Sequence, residues 1–225
     1  MEKDVLPQSR RVPVQSRGQQ RVAEILDAAE RLIGEQGYEA MTTNHIALAA
    51  GVSIGSVYQF FANKFEILQA LTQRYLDGML SVYAGFGGDI MSLAPEAIIN
   101  RIYDGLLAYS KAHVSFSVVV MSAPPGSELA QASALIYDAM SKGIEGLLAV
   151  RAPWMSAEAR KIYAIISLTS ARALQVRCLA EIRAGNAAFA AQLEQESRAL
   201  QVAYFNDLLR KHEQGAGEQS GRVAE

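Results

Sequence analysis

The sequence predicts an all-α fold, and three observations carry that prediction. Apolar residues recur at helical spacing through most of the 225 residues, glycines and prolines punctuate them at helix-length intervals, and no alternating strand pattern is convincing anywhere. The organisation predicted is a three-helix helix-turn-helix domain, followed by a helical domain suited to ligand binding and dimerisation. The boundaries read from the chain are a disordered basic arm over 1–18, the helix-turn-helix domain over 19–64, the second helical domain over 65–213 and a disordered tail over 214–225.

Residues 1–18 hold Pro7 and Pro13 among polar and arginine residues, with no periodicity, so an irregular arm is expected there. From Gln20 to Gln36, Val22, Ile25, Leu26, Ala29, Leu32 and Ile33 make one apolar stripe, and Gly37 ends the helix. Residues 43–64, TNHIALAAGVSIGSVYQFFANK, are the most informative stretch. Thr43 is positioned to cap a short helix that turns Ile46, Ala47 and Ala50 inward. Gly51 stands where the turn needs a left-handed backbone, Val52 is a buried turn residue and Ser53 caps the next helix. Val57 and Phe60 are the expected inward residues of that second helix. A unit of this kind presents its second helix to a DNA major groove.

A longer helix follows, marked by Phe65, Leu68, Leu71, Tyr75, Met79 and Tyr83 and stopped by the glycines at 85–88. Pro95 opens another, with Ile98, Ile99, Ile102, Leu106 and Tyr109 on one face. The β-branched run Val114–Met121 is read as helix in this setting, and Pro124-Pro125-Gly126 breaks it. A helix from Ser127 to Val150 follows. Ser156 caps the next, which runs to the stop at Gly185. Asn186 caps the last, whose stripe is Phe189, Leu193, Leu200, Tyr204 and Leu208.

Composition excludes several classes. A single cysteine, Cys178, leaves no internal disulfide, and neither an apolar leader core nor a membrane-length apolar run is present. A cytoplasmic protein is expected. The histidines His45, His113 and His212 are far apart and no Cys/His ligand spacing occurs, so neither a metal nor another cofactor is expected. There is no nucleophile elbow, glycine-rich phosphate loop or zinc-protease motif, so an enzyme is not expected either. Net charge is only −2, yet Arg10, Arg11, Arg17 and Arg21 fall in a stretch from Val5 to Ala23 without one acid. Such an arm suits phosphates, or it merely solvates a tail.

The chain resembles the TetR family of transcriptional regulators. The resemblance is carried by Ile25-Leu26-x-Ala28-Ala29, Gly37-Tyr38, Thr42-Thr43, Ile46-Ala47, Ala50-Gly51-Val52-Ser53, Gly55-Ser56-Val57-Tyr58, Phe61 and Asn63-Lys64. It is specific over about residues 20–70 and architectural beyond residue 85. It implies a homodimer on a palindromic operator with a small-molecule pocket in each subunit. Carried over by position, the DNA contacts are Thr43 and Asn44, then Ser53, Ile54, Gly55, Ser56 and Tyr58, then Lys64. Gln59 is the best candidate for a hydrogen-bonded base contact, and Arg10, Arg11 and Arg17 of the arm are added for electrostatic affinity. Ile54 departs from the basic or polar residue often found there, so it can read only a thymine methyl or nothing. Phe60 departs too, from a frequent Tyr or His.

In the second domain, Tyr103, His113, Met121, Tyr137, Trp154, Tyr163 and Arg172 are candidate effector contacts, each with the plainer alternative of a core or surface residue. Arg172 draws attention because a cation in a mostly apolar helix needs a partner. The helices over 156–184 and 186–212, rich in small and apolar residues, are the expected dimer elements. The function expected is a ligand-responsive DNA-binding regulator, a repressor released by a small apolar or aromatic effector. The rival is a binding or interaction module of the same fold that has lost its DNA.

Overall fold

The computed structural model describes residues 14–85, 92–121 and 123–222, and the described chain is helices and their connections, without a strand. It divides into two compact units, residues 1–71 and 72–225.

The first unit holds α1 (Val14–Gln36), α2 (Thr43–Ala50), α3 (Ile54–Tyr58) and the start of α4 (Lys64–Ala84). Its core is built by the stripe of α1 against the short helices: Ile25, Ile33, Met41, Ile46, Val57 and Ile67 are all fully buried. Gly37 ends α1 with φ 81°. Gly51 ends α2 with φ 67°, its N–H bonding back to the α2 carbonyls. Arg31 of α1 donates to the Ala49 carbonyl at 3.0 Å, occupying an acceptor that the end of α2 leaves open. At the start of α4, Asn63 Oδ1 accepts from the Glu66 N–H at 3.0 Å, while Glu66 Oε2 accepts from the Ala62 N–H at 2.7 Å. This reciprocal pairing is close to a capping box.

Three local expectations need correction here. The cap of α2 is Thr42 and not Thr43. Thr42 is extended (φ −126°, ψ 160°) and its hydroxyl accepts from the His45 N–H, whereas Thr43 is already the first helical residue. Phe60 does not face inward: α3 ends at Tyr58, so the phase of the helix is lost before residue 60. Phe61 takes the buried position, and Phe60 stays 38% exposed with its ring edge near Gly18. Residues 14–18, expected within the irregular arm, are helical as the start of α1. No proline falls after Pro13 to interrupt the helix. Arg10 and Arg11 lie outside the described residues.

The second unit adds α5 (Pro95–Ala112), α6 (Val114–Met121), α7 (Glu128–Arg151), α8 (Ala157–Arg183) and α9 (Ala187–Arg222). The starts follow the expected chemistry. Pro95 occupies the first turn of α5, and Ser127 and Ser156 cap α7 and α8 by accepting from Ala130 N–H and Ala159 N–H. Gly185 (φ 83°) closes α8. Asn186 begins α9 through its carbonyl, which accepts from Ala190, while its side-chain amide turns back to Glu181 at 2.8 Å. α8 packs between α7 and α9, α5 lies along α9, and α6 lies along α7. α9 continues through Arg222, so residues 214–222 are helical where a disordered tail was expected.

No helix among the described residues is long and apolar enough to cross a membrane.

Candidate nucleic-acid interface and effector cavity

In the first unit, the groups expected to meet DNA lie around the two capped helix starts. Ser53 is extended and its hydroxyl accepts from the Ser56 N–H at 3.1 Å, which sets the direction of α3. Ile54, Tyr58 and Gln59 are exposed, as are Asn44, Ser53 and Gly55; Ser56 and Thr43 are half-buried. Thr43 Oγ1 lies 3.2 Å from the Tyr58 hydroxyl. This contact ties the first turn of α2 to the last turn of α3, so two hydroxyls suited to phosphate oxygens stand side by side.

Lys64 is held differently from its neighbours. Its ammonium faces the Tyr38 and Glu39 carbonyls at 3.3 and 3.4 Å, the Glu39 carboxylate at 3.8 Å, and the Tyr38 ring at 4.4 Å from the centroid. It thus anchors the turn after α1, and a phosphate would have to compete with these acceptors. Arg17 is exposed on the first turns of α1. The sequence-based reading missed Thr42, whose hydroxyl sets where α2 begins. Two adjacent threonines offer the same cap chemistry, and only the backbone angles choose between them.

The second unit holds a partly open cavity of ≈ 210 Å³, mostly apolar and walled by residues of α4 to α9. Tyr103, Met121, Tyr137, Tyr163 and Arg172 line it. His113 and Trp154 do not. His113 ends α5, where its ring lies against Tyr109 (centroids 4.3 Å) and edge-on to Tyr75 (6.1 Å). Trp154 lies in the turn between α7 and α8, 41% exposed.

The aromatic residues on the wall are largely engaged by the protein. The Tyr103 hydroxyl is 3.0 Å from Ser197 Oγ, and Tyr83 donates to the Met140 carbonyl at 3.4 Å. Tyr163 stacks on Tyr204 with centroids 4.7 Å apart. Arg172 places its guanidinium over the Tyr137 ring at 4.8 Å, a cation–π contact. Burial pushes the Tyr137 phenol up to about 12, with the Arg172 charge working against that shift, so the phenol stays a neutral donor at physiological pH. Cys178 is buried, its thiol directed at the Ala190 carbonyl at 3.6 Å, and burial pushes its pKa up, which suits packing better than redox chemistry.

Polar wall residues that the sequence did not single out are Ser167, Ser197 and Gln201, all buried. Gln201 donates to Ser170 Oγ at 2.9 Å, and Ser197 Oγ shares a hydrogen bond with the Tyr103 hydroxyl. One signal was available for Ser167, which follows Tyr163 by four residues and so shares its helix face.

A capped pair of short helices with an exposed outer face, followed by a helical unit built around an apolar cavity, is the architecture of a two-unit helix-turn-helix protein. The chain belongs to the TetR family of bacterial regulatory proteins. The family's N-terminal model matches residues 25–71, and a tetracyclin repressor-like C-terminal domain model matches residues 95–205. The chain is 36% identical over 88 residues to the transcriptional repressor KstR2 of Rhodococcus jostii, covering 38% of this chain and 43% of that one. Matches to the curated relatives span less than half of their length. A TetR-family regulator from Streptomyces coelicolor has the same fold over 83% of this chain and 98% of its own, with TM-score 0.61 and 26% identity. SmeT of Stenotrophomonas maltophilia, in a complex with triclosan, shares the fold with TM-score 0.62 over 82% of this chain and 91% of its own, at 19% identity.

Proposed function

We propose that this protein is a homodimeric, cytoplasmic repressor that binds a palindromic operator and leaves it when a small apolar or aromatic effector enters the cavity. The observation that carries the reading is the largely apolar cavity in a chain whose first unit holds a capped helix-turn-helix with Ile54, Tyr58 and Gln59 exposed. Thr43 and Tyr58 hold phosphate oxygens, Gln59 reaches a base edge, and Ser53, Gly55 and Ser56 bring the start of α3 against the backbone. Asn44 and the arginines Arg10, Arg11 and Arg17 supply further phosphate contacts, and Lys64 adds one only where a phosphate displaces its Glu39 contacts.

Dimerisation is supported by α8 and α9. Ile162, Ile165, Ile166 and Val176 are each 42–51% exposed and fall on the side of α8 opposite its buried residues Ala164, Ser167 and Cys178, and Phe189 and Leu200 are 52% and 51% exposed on α9. A second copy covering this stripe gives the two-fold arrangement that a palindrome requires, with recognition helices about 34 Å apart or a multiple of it. α4 starts in the first unit at Lys64 and carries Tyr83, a cavity residue, in its last turn. An effector that displaces Tyr83 biases the tilt of α4, and it weakens DNA binding only by as much as it prefers the tilted state. SmeT, which shares the fold, has been captured with triclosan, in keeping with small-molecule binding.

Selection from random duplexes, followed by gel shift with candidate effectors and sizing in solution, tests the reading. An enriched inverted repeat bound by a dimer is expected. A strict monomer that binds tightly, or no enriched sequence, refutes it. The second outcome favours an effector-binding module without an operator, a reading for which the inward-held Lys64 and the apolar Ile54 speak.

A further inference from the structure

This inference rests on the cavity being the effector site and concerns which molecules fit it. Most polar groups on its wall are already used by the protein. Tyr103 is paired with Ser197, Gln201 with Ser170, and Glu194 receives Arg198 at 2.8 Å. Among those left over, three carry the argument. The Arg172 guanidinium has no carboxylate or carbonyl partner among the described residues, only the Tyr137 ring. The Tyr163 hydroxyl and Ser167 Oγ, in side chains 4% and 8% exposed, have no hydrogen-bond partner but each other among the described residues. Were these two hydroxyls to turn toward each other, one O–H would still lack an acceptor.

A buried donor without a partner and a cation without a counter-charge both cost free energy, and a ligand that supplies the missing acceptors recovers it. The only acid on the wall, Glu194, is held by Arg198, so Arg172 leaves one positive charge uncompensated. Its planar fork matches a carboxylate, and one cation balances a monoanion better than a dianion. Arg172 and Tyr163 are nine residues apart on α8, a rise of about 13 Å, with apolar wall such as Leu168 and Ala171 between them.

We propose that the effector is an elongated apolar monocarboxylate whose anion pairs with Arg172 over Tyr137 and whose far end carries an oxygen that accepts from Tyr163 and Ser167. An amine is repelled by Arg172, and a neutral alcohol leaves its charge unpaired.

Calorimetric titration of the full-length protein with dodecanoate, ω-hydroxydodecanoate, dodecanol and dodecylamine, each below its micelle concentration, tests this. Dodecanoate is expected to bind at least about tenfold tighter than dodecanol, with no binding of dodecylamine. Arg172→Gln should erase the preference for the acid and leave dodecanol unchanged. The ω-hydroxy acid should bind several-fold tighter than dodecanoate. The Tyr163→Phe/Ser167→Ala double variant, which keeps the stacking on Tyr204, should remove that gain while binding dodecanoate as before.

Equal affinity for acid and alcohol in the unaltered protein overturns the proposal while leaving the cavity an effector site. So does an Arg172→Gln variant that keeps acid binding but shifts the monomer–dimer balance, because Arg172 is then an interface residue. Binding of none of the four probes overturns the proposal and restricts the effector reading to molecules other than linear chains of this length.

Discussion

Replacing Gly51 by alanine probes the turn on which the helix-turn-helix depends. Gly51 has φ 67° and ψ 32°, and its N–H bonds back to Ala47 and Leu48, while Val52 N–H reaches the Ala47 carbonyl at 3.0 Å. A Cβ added there meets nothing within 4 Å, so steric crowding contributes nothing and the backbone conformation alone decides. An L-residue in the left-handed region costs about 1–2 kcal/mol. Alanine also restricts the unfolded chain, which returns about 0.4–1 kcal/mol. The net loss expected for Gly51→Ala is therefore about 1 kcal/mol. Gly51→Asn should cost less, since asparagine tolerates this region, and Gly51→Val more, since a β-branched residue does not. Urea denaturation monitored by circular dichroism, with hydrogen exchange reporting on the first unit separately, gives the order. Equal stability of the alanine, valine and parent proteins would refute the argument, because no contact remains to explain it.

Thr42→Ala should destabilise the first unit by about 1 kcal/mol through loss of the α2 cap, and Thr43→Ala by clearly less, since its hydrogen bond to Tyr58 is exposed; denaturation of the two variants decides. Gln59→Ala should relax operator preference at one base position per half-site, at a cost of about 1–3 kcal/mol against the preferred base, read by binding to a panel of substituted duplexes. Uniform weakening across all sequences would instead make Gln59 a backbone contact. Ile165→Glu with Ile166→Glu should dissociate the dimer on a sizing column and lower operator affinity, with each subunit's helix content unchanged. A double variant that stays dimeric would move the interface away from α8.

What could be read in advance depended on whether the signal was local. Gly37, Gly51 and Gly185 mark left-handed backbone, and Ser53, Ser127 and Ser156 cap helices, because each acts through bonds within a few residues of itself. Phase errors arose where an element was too short to carry a period. α3 ends at Tyr58, so extrapolating its face put Phe60 inside when Phe61 occupies that place. In the cavity, large side chains such as Tyr137, Tyr163 and Arg172 announced themselves, while Ser167, Ser197 and Gln201 did not. Small polar residues read as solvent-facing until the partners that satisfy them are known, and those partners lie 31 residues away for Gln201 and 94 for Ser197. The stripe predicted on α9, with Phe189 and Leu200, turned out to lie beside its buried face, which is Ala190, Ser197, Gln201 and Phe205.

By itself the sequence determined the all-α class, the order of the helices and the helix-turn-helix, because periodicity, caps and glycine conformations are short-range physics. Only the tertiary structure decided which residues share the cavity. The Tyr163 and Ser167 hydroxyls have only each other, Arg172 faces Tyr137 and no acid, and His113 and Trp154 lie elsewhere, because packing among helices distant in sequence sets those distances.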